Sequence, residues 1–355
     1  DDVAMQLGLT SCRYPGGTIA EQYFDLRNPD RESAVDPETG KVISLTGLSQ
    51  FLGFCHDAGI AATIVIPTRN ALSDGALGAR DVTPEAQATV AAFVTEIVLG
   101  NYGDANIFSF EIGNEYFGSG MMTATEYGKV ASAFSLAIQS ALDACRDTMG
   151  LGQDWAEPKI AVQMGMYGVY STMPGDIQNA AIMAQFDNVE ASAVDAVVGH
   201  FYPVNFDSIS GSGWFFDRLD DWTEDTRFAS VDTHITEWNS DLNSGQVSGL
   251  RHAQVLLQIF CELVSRGVDS ASIWGVQQNT NNDLSGDEGQ TTLTIGGEMF
   301  RLLRESVVDH VLVDRNLETS VDSYVFKAAR DTVVFLGNDS ASATQLSVDL
   351  SYFSA

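Results

Sequence analysis

A chain of 355 residues that is 45% hydrophobic and 10% aromatic, with only 8 prolines, has the apolar material for a sizeable core and not the composition of a disordered segment. Its 48 Asp and Glu against 18 Lys and Arg give a formal charge of -30, which argues against nucleic acid or an anionic membrane surface as a partner. No apolar run reaches the about 18 residues that cross a bilayer, and the start Asp1-Asp2-Val3 lacks the pattern of a signal peptide.

In chain order, Val3 to Leu9 reads as the end of a helix. Short runs rich in Val, Ile, Phe and Ala then predict strands at Ser11–Tyr14, Ala61–Ile66, Ile107–Ile112, Ile160–Gly165, Val194–His200, Asp232–Glu237 and Ser270–Gly275. Their interiors are apolar on both faces, as parallel strands covered by helices require. Helical segments separate them. Thr83 and Pro84 form a cap and first turn before the stripe Val90, Phe93, Val94, Ile97 and Val98, and Gly100 ends that helix. Thr123 and Glu126 have capping-box spacing ahead of Tyr127, Val130, Phe134 and Ile138. Trp214-Phe215-Phe216 through Trp222 reads as a helix packed on the sheet, or alternatively as a wall of a substrate groove. Leu256, Ile259, Phe260 and Leu263 form another stripe, closed by Gly267. After a last helix at Glu298–Glu305 the pattern changes to alternation. Val311–Val313, Ser323–Ala328, Thr332–Leu336 and Gln345–Leu350 predict antiparallel strands, with a turn at Gly337-Asn338-Asp339.

Strand starts about 35 to 55 residues apart suit either an eight-fold β/α barrel (TIM barrel) or an open doubly wound sheet. The barrel is favoured on two grounds. Tyr14-Pro15-Gly16-Gly17-Thr18 lacks the spacing of a dinucleotide-binding glycine loop. Polar and aromatic residues also gather where strands end, which is where a barrel builds its site: Arg13, Arg69-Asn70, Asn114-Glu115, His200 with Tyr202, Glu237-Trp238-Asn239, and Trp274. Seven strands are visible where a barrel has eight, so the first is expected upstream of Asp1. The expected organisation is a catalytic barrel over 1–305 and a small β-sandwich over 306–355.

If the missing strand is the first, Glu115 ends strand four and Glu237 strand seven, and two carboxyls meet at the barrel mouth. Cleavage of a glycosidic bond by retention uses such a pair, one protonating the leaving oxygen and the other attacking the anomeric carbon, about 5 to 5.5 Å apart. Proximity raises one carboxyl and keeps it protonated near neutral pH. Asn114 is placed to meet the hydroxyl beside the reacting carbon. Arg13 is a candidate partner for an ionised carboxylate. His200 and Tyr202 are either core polar groups or partners of the nucleophile, and Trp274 is either core filling or a platform for a sugar ring. Glu111 shares a strand face with Glu115 but lies deeper, where it needs a buried partner such as an arginine.

These residues resemble clan A of the retaining glycoside hydrolases. Gly113-Asn114-Glu115 with Thr236-Glu237-Trp238 carries the likeness, and Arg13-Tyr14-Pro15-Gly16-Gly17 is similar to a segment of family 51 arabinofuranosidases. Glu111 to Glu115 and Asn70-Ala71-Leu72 are similar to family 79 glucuronidases, and Thr236 to Asn239 to families 39 and 51. The resemblance implies a barrel with a β-sandwich, Glu115 as acid/base and Glu237 as nucleophile. It also implies Asn114 on the 2-hydroxyl, Arg13 and Tyr202 holding the nucleophile ionised, Asn70 and His200 among the substrate contacts, and Trp274 under the sugar. It implies a plant or algal polysaccharide or oligosaccharide as substrate, no cofactor, and a secreted or periplasmic location. One departure is Tyr116-Phe117-Gly118, where such families have a proline soon after the acid/base glutamate.

A second reading is a non-catalytic carbohydrate-binding barrel within a larger secreted protein. A metal-dependent hydrolase is disfavoured, because His56, His200, His234, His252 and His310 show no paired ligand spacing. The oxygen-rich stretch Asn279–Gly289 lacks the glycine placement of an EF-hand loop and reads as a loop, with calcium binding as the alternative. Cys12, Cys55, Cys145 and Cys261 are widely spaced and read as buried free thiols.

Overall fold

The computed structural model describes residues 2–152, 154–204, 206–241, 248–278, 280–287, 289–317, 321–338, 342–345 and 347. The first half of the chain holds α1 (Asp2–Leu7), β1 (Ser11–Tyr14), α2 (Thr18–Tyr23), β2 (Ser33–Val35), β3 (Val42–Ser44), α3 (Leu48–Ala58), β4 (Ala61–Ile66), α4 (Pro84–Val98), β5 (Ile107–Ile112) and α5 (Ala124–Met149). Then come β6 (Lys159–Gln163), α6 (Gly175–Met183), α7 (Asn188–Ala191), β7 (Ala196–Phe201), α8 (Phe206–Ser210), α9 (Gly213–Glu224) and β8 (Asp232–Trp238). The remainder is α10 (Gly249–Ser265), β9 (Ser270–Ile273), α11 (Ile295–Ser306), β10 (Val311–Asn316), β11 (Asp322–Lys327) and β12 (Thr332–Gly337).

All seven strands expected from the apolar runs form, in one sheet of order β1-β4-β5-β6-β7-β8-β9. The pairings from β1 to β7 are parallel, with Ile64 opposite Phe110 and Phe110 opposite Ile160. A doubly wound sheet would reverse its strand order at a switch point. Strands adjacent in chain order, with a helix in nearly every connection, are instead the connectivity of a β/α barrel. In β4 and β5, Ile64, Val65, Ile66, Phe110 and Ile112 are buried whichever face they occupy. Each contributes about 1.5 to 3 kcal/mol of burial to the fold. The hairpin β2–β3 has no counterpart among the expected elements, because its six residues are half-buried or exposed and carry no apolar period.

The helix ends follow the sequence signals. Thr83 caps α4 through Ala86 N, and Thr123 and Glu126 form both halves of a capping box on α5. Helix α9 buries Phe215, Phe216, Leu219 and Trp222 and leaves Trp214 exposed.

By internal contacts the chain groups into two compact units. The larger is Thr10–His200 with Gly213–Thr236, and the smaller is Asp1–Leu9 with Phe201–Ser212 and Glu237–Ala355. In the smaller unit, β10, β11 and β12 form an antiparallel sheet. Tyr324, Phe326 and Phe335 on its buried face pack with Leu257 and Cys261 of α10 and with Leu303 of α11. Within the described residues, then, helices form the layer against this sheet. Asp339 of the expected turn and most of the strand expected at Gln345–Leu350 lie outside the described residues.

All four cysteines are free, three of them buried and Cys12 partly so. Burial pushes the thiols up, Cys12 to about 11 and Cys55 to about 12. Among the described residues no helix is long and apolar enough to cross a membrane.

Candidate active site

In the larger unit the site begins where β5 runs out. Gly113 continues the ladder, its N–H donating to Ile66 O at 2.8 Å, but its φ is 82°. A Cβ there would stand 3.1 Å from Thr68 Cγ2 and 3.3 Å from Tyr127 Cε2, so the position requires glycine on two counts. Two residues later Glu115 itself has φ 47°, a left-handed conformation that costs a glutamate about 1 to 2 kcal/mol. The surroundings hold that turn. Gly118 N donates to Glu115 O, Met122 N donates to Tyr116 O, and the buried Tyr116 ring stacks on Tyr127 at 4.4 Å. The Tyr127 hydroxyl in turn donates to Ile112 O.

Beneath the turn is an ionic cluster. Arg13, at the end of β1, donates from Nε to Glu111 Oε2 at 2.7 Å and from Nη2 to Glu111 Oε1 at 2.8 Å. The same Nη2 reaches Asn114 Oδ1 at 2.9 Å, and Thr236 Oγ1 donates to Glu111 Oε1 at 3.2 Å. Glu111 therefore has the buried arginine expected from strand depth. Asn114 is buried and held on three sides. Its Oδ1 accepts from Arg13, its Nδ2 lies 3.3 Å from Ser119 Oγ, and its backbone N–H donates to Glu21 Oε1 at 2.8 Å.

Above the cluster, Glu115 Oε1 lies 3.2 Å from His200 Nδ1, at the end of β7. Burial pushes the Glu115 carboxyl up, but the hydrogen bond and charge of His200, with the charge of Arg13, outweigh it and hold the group below the ordinary carboxylate value. That direction is opposite to the one expected of a carboxyl kept protonated by proximity alone. The physical reason is the imidazole, which the sequence placed near the nucleophile or in the core and the fold places against Glu115.

In the smaller unit, Tyr202 OH donates to Glu237 Oε2 at 2.8 Å, and the Glu237 side chain is buried. The next residues anchor the chain. Trp274 N donates to Trp238 O at 3.1 Å, and Asn239 Nδ2 donates to Trp274 O and Asn282 O at 2.8 and 3.0 Å. His252 Nε2 lies 2.9 Å from Asn239 Oδ1, and burial, opposed only in part by Asp283, lowers this imidazole to about 4, so it is neutral and donates to the amide. Trp274 is half-buried directly after β9. In the oxygen-rich loop that follows, Asp283 accepts from Gln278 N and Thr280 N and from the Thr280 hydroxyl. Asn279 and Glu288 of that loop lie outside the described residues.

Asn70, after β4, is exposed and lines a cavity of about 430 Å³ together with Gln22, Arg27, Arg31 and Phe134. One buried residue of this region went unread in the sequence. Glu21, on α2, accepts from Thr68 N, Thr68 Oγ1, Arg69 N and Asn114 N. Nothing in a short helix after two glycines marks such a contact, since its partners lie 47, 48 and 93 residues away.

No family model and no curated protein matches the sequence. Solved structures do match the fold. A family 39 glycoside hydrolase from the gut symbiont Bacteroides cellulosilyticus WH2 superposes with a TM-score of 0.59 at 12% identity, covering 96% of this chain and 67% of its own. A 4-O-alpha-L-rhamnosyl-beta-D-glucuronidase from Fusarium oxysporum 12S gives 0.57 at 13% identity, covering 94% and 70%. A glucosidase from Croceicoccus marinus gives 0.57 at 12% identity, covering 95% and 76%. At these identities the likeness is one of fold.

Proposed function

We propose that the protein is a retaining glycoside hydrolase acting on a plant or algal polysaccharide or oligosaccharide, with Glu237 as nucleophile and Glu115 as acid/base. The observation that carries the proposal is a short piece of chain. His200 binds Glu115, Tyr202 binds Glu237, and only Phe201 separates the two. The retaining mechanism uses two carboxyls about 5 to 5.5 Å apart, and the two side chains that bind these carboxylates stand two residues apart on the chain. The fold shared with three glycosidases supports the same class.

In this reading Glu237 attacks the anomeric carbon while the leaving oxygen takes a proton from Glu115. A covalent glycosyl-enzyme forms, and water deprotonated by Glu115 then releases the sugar. The Tyr202 hydroxyl stabilises the ionised nucleophile. Because His200 holds Glu115 low, the proton delivered to the leaving group belongs to the Glu115–His200 pair rather than to one of its members. Asn114, oriented by Arg13, faces the hydroxyl next to the reacting carbon, and Trp274 and Asn70 contribute to sugar contacts.

The test is Glu237→Ala assayed on a panel of aryl glycosides differing only in the sugar. Activity is expected to fall to near background and to be partly restored by azide, with a glycosyl azide of inverted configuration as product. Unchanged hydrolysis in Glu237→Ala would remove the assignment.

A further inference from the structure

We infer that Glu21 is a positioning residue for the acid/base. Its carboxylate fixes the peptide that carries Asn114 and so sets the direction from which Glu115 enters the site. The inference rests on the reading of Glu115 as acid/base.

Glu21 is 1% exposed, and all four of its hydrogen-bond donors are neutral. Oε2 accepts from Thr68 N at 2.8 Å and Arg69 N at 2.7 Å, and Oε1 accepts from Thr68 Oγ1 at 3.0 Å and Asn114 N at 2.8 Å. Among the other buried glutamates, Glu111, Glu126 and Glu262 each have an arginine beside them, and Glu237 accepts from the Tyr202 hydroxyl. Glu21 is bonded to no cationic side chain among the described residues. A buried carboxyl held only by neutral donors is costly, and burial pushes this one up against the pull of its four donors. Packing alone would be served as well by an apolar side chain.

What a carboxylate does here is accept from three backbone N–H groups that come from the ends of two different strands. It joins the Thr68–Arg69 peptide after β4 to the Gly113–Asn114 peptide after β5. The second of these lies between the two left-handed residues, Gly113 at φ 82° and Glu115 at φ 47°. Orienting the Asn114 N–H therefore fixes one end of the strained turn, and Arg13 on the Asn114 side chain fixes the other. A glutamine cannot substitute, because both oxygens accept from N–H groups and an amide nitrogen would set donor against donor on one side.

The experiment compares the parent protein with Glu21→Gln, Thr68→Val and Glu115→Gln on one sugar with two leaving groups, an alkyl or sugar alcohol that needs protonation and fluoride that does not. Melting temperature and exchange of the Asn114 amide hydrogen are read alongside. Glu21→Gln is expected to lower kcat/KM, which reports the glycosylation step alone, about 10- to 100-fold on the poor leaving group and less than about 3-fold on the fluoride. Exchange at Asn114 is expected to quicken. Thr68→Val, which removes one donor of four, is expected to show the same leaving-group bias more weakly and serves if Glu21→Gln does not fold. Equal losses on both leaving groups, or unchanged exchange at Asn114, would overturn the positioning role. If Glu115→Gln itself shows no leaving-group bias, the assignment of the acid/base falls, whereas bias in Glu115→Gln without bias in Glu21→Gln or Thr68→Val removes the inference alone.

Discussion

Arg13 and Glu111 form a two-pronged ion pair in which the side chains are 4% and 0% exposed. Breaking a buried pair from one side leaves a charge without its partner and costs about 3 to 5 kcal/mol. Arg13→Met and Glu111→Leu are each expected to lose about that much stability in urea unfolding, and the double variant to lose clearly less than the sum. Additive losses would show that the two side chains stabilise the fold independently. Because Arg13 also holds Asn114, Arg13→Met is expected to lower kcat in whatever fraction remains folded.

His200 decides the charge state of Glu115. With the imidazole present the carboxyl is held low; in His200→Ala burial becomes the dominant influence, so the group is expected to titrate higher than in the parent, read by carbon-13 NMR of labelled glutamate. The sign carries into stability. A depressed folded value stabilises the protein above the unfolded value and ceases to do so as pH falls through the folded one. His200→Ala is expected to lack that contribution, and a Glu115 titration that stays put would contradict the account.

Tyr202 donates one hydrogen bond to Glu237. A neutral donor to a carboxylate contributes about 1.5 to 3 kcal/mol. Tyr202→Phe is expected to reduce kcat/KM about 10- to 100-fold, because the carboxylate loses a stabilising donor. An unchanged kcat/KM would place the Tyr202 contact outside the reaction.

Glu126 provides a test of stability away from the chemistry. It accepts from Gly78 N and from Nε and Nη2 of Arg80, and it closes the cap of α5 at Thr123 N. Burial raises its carboxyl, but Arg80 and the backbone donors lower it further, to about 2. Its contribution is complete above an unfolded value of about 4.3 and is lost as pH falls toward 2. Glu126→Gln is expected to unfold more readily at pH 6 and to converge with the parent near pH 2 in denaturant titrations.

The sheet was legible in the sequence because parallel strands buried on both faces leave runs such as Ala61–Ile66 that hydropathy alone detects. Thr123 and Glu126 were legible because a cap is local. Glu115 and Glu237 were legible as strand ends bearing carboxylates. The partner of Glu115 was not, since the sequence records that His200 ends a strand but not toward which neighbour its ring turns. Glu21 was hidden for a related reason. Its contacts are set by where the ends of β4 and β5 converge on α2, 47 to 93 residues further along the chain, and a short helix with no partner signal of its own does not record them.

The four raised thiols equip the protein with its own reporter. Cys12, Cys55 and Cys145 belong to the larger unit and Cys261 to the smaller, and thiol-modifying reagents attack only the thiolate form. Alkylation at pH 8 of the buried Cys55, Cys145 and Cys261 should therefore depend on opening. Peptide mapping of the label would then time the loosening of each unit separately, without any engineered probe.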